Sequence, residues 1–210
     1  MNWKRKQLYD SQLYAVLDKQ VLAGKQASKV ALKMARAGIK VFQLRDKLAD
    51  TPTFLEEVVS LKAALRGKKA VCIVNDRIDV CLAAKADGVH LGQQDMPLAY
   101  ARKILGRDKI IGISCMTITE ALLAQRGGAD YIGIGPCFLT STKPGVKTIK
   151  RTVLRDCVRK IRIPVFAIGG IRANNVHELA RCGIKKIAAS GSFCRTTDLY
   201  RIISTFKEAL

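Results

Sequence analysis

The sequence predicts an α/β protein, a single-domain (β/α)8 TIM barrel spanning residues 1–210. Three observations predict it. Eight short apolar runs rich in β-branched residues recur along the chain, segments with helical spacing separate them, and 210 residues, 49% of them hydrophobic, suffice for one sizeable core. The runs are LYAVL (13–17), IKVFQL (39–44), AVCIV (70–74), GVHL (88–91), IIGIS (110–114), YIGIG (131–135), PVFAIGG (164–170) and KIAAS (186–190). They read as continuously apolar, as strands covered on both faces do. An open doubly wound sheet is the alternative, but it normally uses fewer strands, and no G-x-G-x-x-G follows the first run.

Between the runs lie helix signals. Ala27, Val30, Ala31 and Met34 recur at intervals of three and four, and Gly38 closes that segment. Thr117 and Glu120 have capping-box spacing before ALLAQ, with Gly127-Gly128 as the stop; Asn175 and Glu178 repeat the device before Gly183. Leu199, Ile202, Ile203 and Phe206 form one stripe on the last helix. No linker or low-complexity segment divides the chain.

Composition narrows the function. No apolar run approaches the length needed to cross a bilayer, and the start, MNWKRKQLYD, lacks the apolar core of a signal peptide, so the expected location is cytoplasmic. Seven scattered cysteines with no C-x-x-C pair fit reduced, buried thiols better than zinc ligands or a disulfide framework. The net charge of +20, from 37 Lys and Arg against 17 Asp and Glu, attracts polyanions in general. Yet the basic residues are spread from Lys4 to Lys207 and aromatics are only 6%, so a small phosphorylated substrate fits as well as nucleic acid.

Polar residues gather where the apolar runs stop: Gln43-Leu44-Arg45-Asp46-Lys47, Asn75-Asp76-Arg77, His90 followed by Gly92-Gln93-Gln94-Asp95, Ser114, the loop GPCFLTSTKPG (135–145), Gly169-Gly170 and Ser190-Gly191-Ser192. In a parallel barrel these ends share one rim, where such folds build their sites. Singly, each has a plain structural use: Asp76 and Asp95 as helix caps, Asn75 as a turn residue, His90 as a core histidine, Arg45 and Lys47 as exposed cations, and the hydroxyl-rich loop as a solvated connection. Turn chemistry alone gives no reason for carboxylates to alternate with cations around one mouth. Gly169-Gly170 at the end of the seventh run and Gly191 after the eighth leave N–H groups open to a phosphate. Arg45, Lys47 and Lys143 suit a second, more highly charged anion, and two carboxylates plus phosphate oxygens are the usual provision for Mg²⁺. The residues thus imply a barrel enzyme with a monophosphate site and a Mg²⁺-diphosphate site.

The motifs QLRDK (43–47), NDR (75–77), ADGVHLGQQD (86–95), ADYIGIGPCFLTSTK (129–143) and IPVFAIGGI (163–171) resemble those of the thiamine-phosphate synthase family, in that family's order and across nearly the whole barrel. The resemblance implies a transferase that joins 4-amino-5-hydroxymethyl-2-methylpyrimidine diphosphate to 4-methyl-5-(2-phosphoethyl)thiazole, or its carboxylated form, giving thiamine phosphate and pyrophosphate. Carried over by matched position, it implies Asp76 and Asp95 as Mg²⁺ ligands. Arg45, Lys47, Asn75 and Lys143 fall on the diphosphate, and Gln43 on the pyrimidine. Ser114 falls near the pyrimidine amino group and the leaving diphosphate. Thr140, Thr142, Gly170, Ser190 and Gly191 fall on the thiazole phosphate. Ser114, Lys143 and Arg45 are the implied catalytic residues. The implied partners are the two small phosphorylated molecules, without nucleic acid or membrane, and a homodimer is compatible.

The sequence departs from the family's pattern in four places. Leu139 replaces a frequent proline, Met116 a frequent histidine, Lys150-Arg151 a usual glycine, and Ala-Ser-Gly-Ser-Phe (189–193) a Val-Ser-Ala form. None removes a proposed metal ligand or diphosphate cation. A thiazole tautomerase of the same superfamily would need neither Mg²⁺ nor a diphosphate site. A non-catalytic barrel exploiting the +20 charge would bind polyanions in a salt-sensitive way and form no product. Lys143→Ala is expected to slow turnover strongly while leaving the fold intact, read by steady-state kinetics beside a thermal melt.

Overall fold

Eight parallel strands close into one barrel in sequential order: β1 (Leu13–Asp18), β2 (Val41–Arg45), β3 (Val71–Asn75), β4 (Gly88–Leu91), β5 (Ile110–Cys115), β6 (Tyr131–Ile134), β7 (Val165–Ile168) and β8 (Ile187–Ala189). The computed structural model describes residues 2–140 and 145–210. The helices are α1 (Trp3–Asp10), α2 (Lys19–Leu22), α3 (Ala27–Arg36), α4 (Thr51–Ala64), α5 (Ile78–Ala83), α6 (Leu98–Leu105), α7 (Ile118–Arg126), α8 (Arg151–Lys160), α9 (Val176–Ala180), α10 (Gly191–Cys194) and α11 (Leu199–Ala209). Closure removes every sheet edge, so the open-sheet alternative is excluded.

Two separate apolar clusters follow from the period of two along each strand. One fills the layer between sheet and helices and includes Ala15, Leu17, Phe42, Leu44, Cys72, Val74, Val89, Ile111, Ile132 and Ala167. The other fills the barrel interior: Tyr14, Val16, Val41, Val71, Ile73, Ile110, Tyr131, Phe166 and Ala188, with Leu8 from α1. The runs look continuous in sequence because both faces are buried.

Two glycines set what the interior can hold. A Cβ on Gly112 would lie 2.0 Å from a ring carbon of Tyr131, its partner in register on β6. A Cβ on Gly133 would lie 3.2 Å from the His90 ring. The strand backbone is bare there so that two large polar rings fit inside.

The end of the barrel opposite the strand C-termini is closed by α1, which the sequence pattern did not reveal. Only Leu8 of that helix is buried, and the helix is held by ion pairs from Lys4 to Asp87 at 2.7 Å and from Arg5 to Asp130 at 2.6 Å. Both carboxylates also accept backbone N–H bonds, Asp87 from Cys72 and Asp130 from Ile111, each at 2.8 Å.

Helix starts match the sequence in part. Thr117 and Glu120 form the expected capping box. Asn175 does not cap α9. Its Oδ1 accepts from the Arg172 N–H at 2.8 Å and its Nδ2 donates to the Gly170 carbonyl at 3.0 Å, while Glu178 pairs with Arg151. All seven cysteines are buried free thiols. Gly112→Ala is expected to lower stability by ~1–3 kcal/mol through overpacking against Tyr131, read as a lower urea midpoint at unchanged m-value.

Candidate active site at the barrel rim

The inward positions nearest the strand C-termini are polar: Asp18, Arg45, Asn75, Ser114 and Ser190, with Gln43 and His90 one layer deeper. Asp18, Gln43, Asn75 and His90 are buried, and Arg45, Ser114 and Ser190 half-buried. Apolar packing below and open mouth above leave these groups to satisfy one another.

One cluster is a carboxyl pair. Asp76 follows β3 in the left-handed region (φ +59), its N–H bonded to the His90 carbonyl at 2.9 Å. Few non-glycine residues hold that conformation without a reason, and aspartate tolerates it better than most. It does not cap the following helix: α5 begins at Ile78, and its N-cap position, Arg77, makes no side-chain cap bond. Asp76 instead pairs with Lys47 and lies within hydrogen-bonding reach of Asp95. Asp95 does not cap α6 either; its Oδ2 accepts from the Gly92 N–H at 2.7 Å, folding the loop after β4 over the rim. Lys47 is presented by a tight turn in which Asp46 accepts from the N–H groups of Leu48 and Ala49.

The two carboxyls differ in affinity for a proton. Burial pushes Asp76 above the usual carboxylate range; Lys47 opposes this, and nearby Asp95 adds to it. Burial also works against ionisation of Asp95, but hydrogen bonds from Asp76 and the Gly92 N–H, with Lys47, outweigh it and hold that carboxyl low. Two carboxylates this close do not both ionise freely, so of the pair Asp76 is the one that gives up its proton less readily.

A second cluster joins β1 and β2. Arg45 pairs with Asp18, the residue opposite it in register, whose side chain is 1% exposed. Asp18 Oδ1 also accepts from the Gln20 N–H at 3.0 Å, capping α2. A guanidinium locked this way points a fixed fork of donors at the mouth.

A third cluster crosses the interior. Gln43 Nε2 donates to the Tyr14 hydroxyl at 2.7 Å; Tyr14 and Tyr131 hydroxyls are 2.9 Å apart; Tyr131 meets His90 Nδ1 at 3.0 Å; and His90 Nε2 lies 2.9 Å from Ser114 Oγ. Burial raises the pKa of both tyrosines.

The loop after β6 is fastened to the end of β7. Cys137 N–H donates to the Ile168 carbonyl at 2.9 Å and Phe138 N–H to the Gly169 carbonyl at 3.0 Å. Gly170 (φ +64) must be glycine, since a Cβ there would lie 2.3 Å from the Leu139 carbonyl oxygen. Thr140 is half-buried at the end of this fastened stretch. Thr142 and Lys143 lie outside the described residues. Across the mouth, a Cβ on Gly191 would meet nothing within 4 Å among the described residues, and Ser190 Oγ is buried with the Cys194 thiol beside it.

The sequence profile of the family described as thiamine monophosphate synthase matches residues 13–193. The chain belongs to that family. It is 40% identical over 190 residues to the thiamine-phosphate synthase of Ruminiclostridium cellulolyticum, covering 90% of each chain. It is 39% identical over 202 residues to that of Halalkalibacterium halodurans, covering 96% of each. The thiamine phosphate pyrophosphorylase of Pyrococcus furiosus superposes with a TM-score of 0.85 at 33% identity, over 98% of this chain and 96% of that one. Membership of the thiamine monophosphate synthase family makes the chain an enzyme, a transferase with small phosphorylated substrates. No helix among the described residues is long and apolar enough to cross a membrane.

Three of the departures from the family pattern sit at the margins of the mouth, whereas that at 189–193 falls on the end of β8 and the start of α10. Leu139 is 81% exposed and Met116 is also exposed. Arg151 stacks over Phe138 at 5.5 Å while pairing with Glu178, which braces the base of the loop after β6 from α8 and α9. Sequence reasoning missed Asp18, Tyr14 and Tyr131. The signal for Asp18 was parity: it is two residues beyond Val16 on the inward face. Asp18→Ala would leave Arg45 as a largely buried, unpaired charge and is expected to destabilise the protein by ~3 kcal/mol, measured by urea unfolding.

Proposed function

We propose that this enzyme condenses 4-amino-5-hydroxymethyl-2-methylpyrimidine diphosphate with 4-methyl-5-(2-phosphoethyl)thiazole, or its carboxylated form, by a dissociative, Mg²⁺-assisted displacement. The observation that carries the reading is the Asp76–Asp95 carboxyl pair beside Lys47, on the same rim as Arg45 and Ser114.

The residues fit Mg²⁺. Two oxygen-donor groups converge, burial making one of them harder to ionise than an ordinary carboxylate, and Mg²⁺ typically takes one or two carboxylates and completes its shell with phosphate oxygens and water. Asp76 and Asp95 would hold it, and when bound it supplies positive charge to a leaving diphosphate.

The chain's own residues do the rest. Arg45, Lys47, Asn75 and Lys143 bind the diphosphate and stabilise the charge it gains as the methylene–oxygen bond breaks and takes the electron pair with it. Gln43 orients the pyrimidine, whose electron-rich ring carries the complementary positive charge. Ser114 donates toward the departing group. The thiazole nitrogen then contributes its lone pair to the new carbon–nitrogen bond, so no protein nucleophile is required. Thr140, Thr142, Gly170, Ser190 and Gly191 hold the thiazole phosphate; the open space over Gly191 and the buried Ser190 hydroxyl support that placement. On this reading the enzyme works in the cytoplasm and its partners are small molecules, with no nucleic acid or membrane.

The test is purified protein with both phosphorylated substrates, with and without Mg²⁺, following thiamine phosphate and released pyrophosphate in equal amounts. Asp76→Asn is expected to abolish the Mg²⁺-dependent rate by at least about a hundredfold, of order 3 kcal/mol in the barrier, with the fold retained by circular dichroism. Product formed equally well without divalent metal, or none formed by the wild type, overturns the proposal.

A further inference from the structure

The relay Gln43–Tyr14–Tyr131–His90–Ser114 has a direction, and that direction follows from one atom. An amide nitrogen only donates. Gln43 Nε2 therefore occupies an acceptor site of the Tyr14 hydroxyl, 2.7 Å away, and of that hydroxyl's two hydrogen-bond partners only Tyr131, at 2.9 Å, has an oxygen that can take its proton. Tyr131 then passes its proton to His90 Nδ1 at 3.0 Å. With Nδ1 accepting, the imidazole carries its hydrogen on Nε2 and donates to Ser114 Oγ at 2.9 Å. Gln43, Tyr14, Tyr131 and His90 are all buried, so bulk water does not scramble the order.

We infer that Tyr14, Tyr131 and His90 are positioning residues: they fix the His90 ring as the Nε2–H tautomer, so that the Ser114 hydroxyl accepts from it and keeps its own proton for a ligand. At the other end, Gln43 has its Nε2 engaged and keeps Oε1 as its acceptor. The site thereby presents one donor and one acceptor of fixed polarity: Ser114 suits an anionic oxygen, Gln43 an amino N–H. A pyrimidine bearing an exocyclic amine beside a diphosphate matches that polarity in one orientation only. This inference rests on the proposed function for the identity of the ligand, but not for the tautomer.

The packing is consistent with a built feature. Gly112 and Gly133 clear space for the Tyr131 and His90 rings, and Phe166 meets both tyrosines edge-on, at 5.4 Å from Tyr14 and 5.8 Å from Tyr131. The rings have little freedom to choose other partners.

The chain has two histidines, His90 and the exposed His177, so ¹⁵N-histidine labelling gives a readable spectrum. In substrate-free wild-type protein, long-range ¹H–¹⁵N correlation is expected to show His90 as the Nε2–H tautomer. Tyr131→Phe is expected to give mixed tautomers, with kcat reduced roughly tenfold, the scale of one misdirected hydrogen bond, and KM values nearly unchanged. If Tyr131→Phe does not fold, Tyr14→Phe cuts the same relay one step earlier and carries the same expectation. A wild-type Nδ1–H tautomer overturns the inference, as does a variant that keeps the wild-type tautomer whatever its rate. Absence of thiamine phosphate synthesis by the wild type would instead sink the proposed function, because the tautomer is read without substrate.

Discussion

A hydroxyl buried away from water must find a partner inside the protein, and the core of this barrel contains two of them, 2.9 Å apart on Tyr14 and Tyr131. Burial raises the pKa of both phenols. Their protons and lone pairs can be satisfied only by other interior groups, and the strands supply Gln43 from β2 and His90 from β4. That requirement carries polarity from the middle of the barrel to its rim, where Ser114 stands. The glycines that admit the rings belong to the same solution, so interior packing and site chemistry are here one problem.

Charge at the rim is organised by pairing. Asp18 holds Arg45 and Asp76 holds Lys47, so the cations are in place and partnered before any ligand arrives. On the proposed reading, an anionic substrate exchanges with Asp76 for Lys47, whereas Arg45, braced by a carboxylate that is itself bonded to the start of α2, keeps its partner. One cation yields and the other is a fixed post. The excess of basic residues elsewhere adds a long-range attraction for anions that weakens with salt.

Most of the fold was legible. GVHL coincides with β4, and each of the other runs overlaps its strand, because β-branched apolar residues bounded by glycine and charge leave little choice of structure. Asp76, Asp95 and Lys47 were legible as a set because topology alone brings strand ends together. Asp18 was not, since its partner Arg45 is 27 residues away and the run LYAVL reads as complete without it. Helix α1 escaped for a related reason: WKRKQLYD has no apolar stripe to reveal it, and its anchors are carboxylates far along the chain. Asn175 carries the right residue for a cap, but the carbonyl of Gly170 and the N–H of Arg172 compete for its amide and win.

The latch of α1 onto Asp87 and Asp130 has a consequence for tolerance to change. It ties down the end of the barrel remote from the mouth with bonds that no rim residue shares, so robustness and chemistry reside at opposite poles. Substitutions at Met116, Leu139 or Arg151 therefore touch the opening without disturbing the bonds that close the far end.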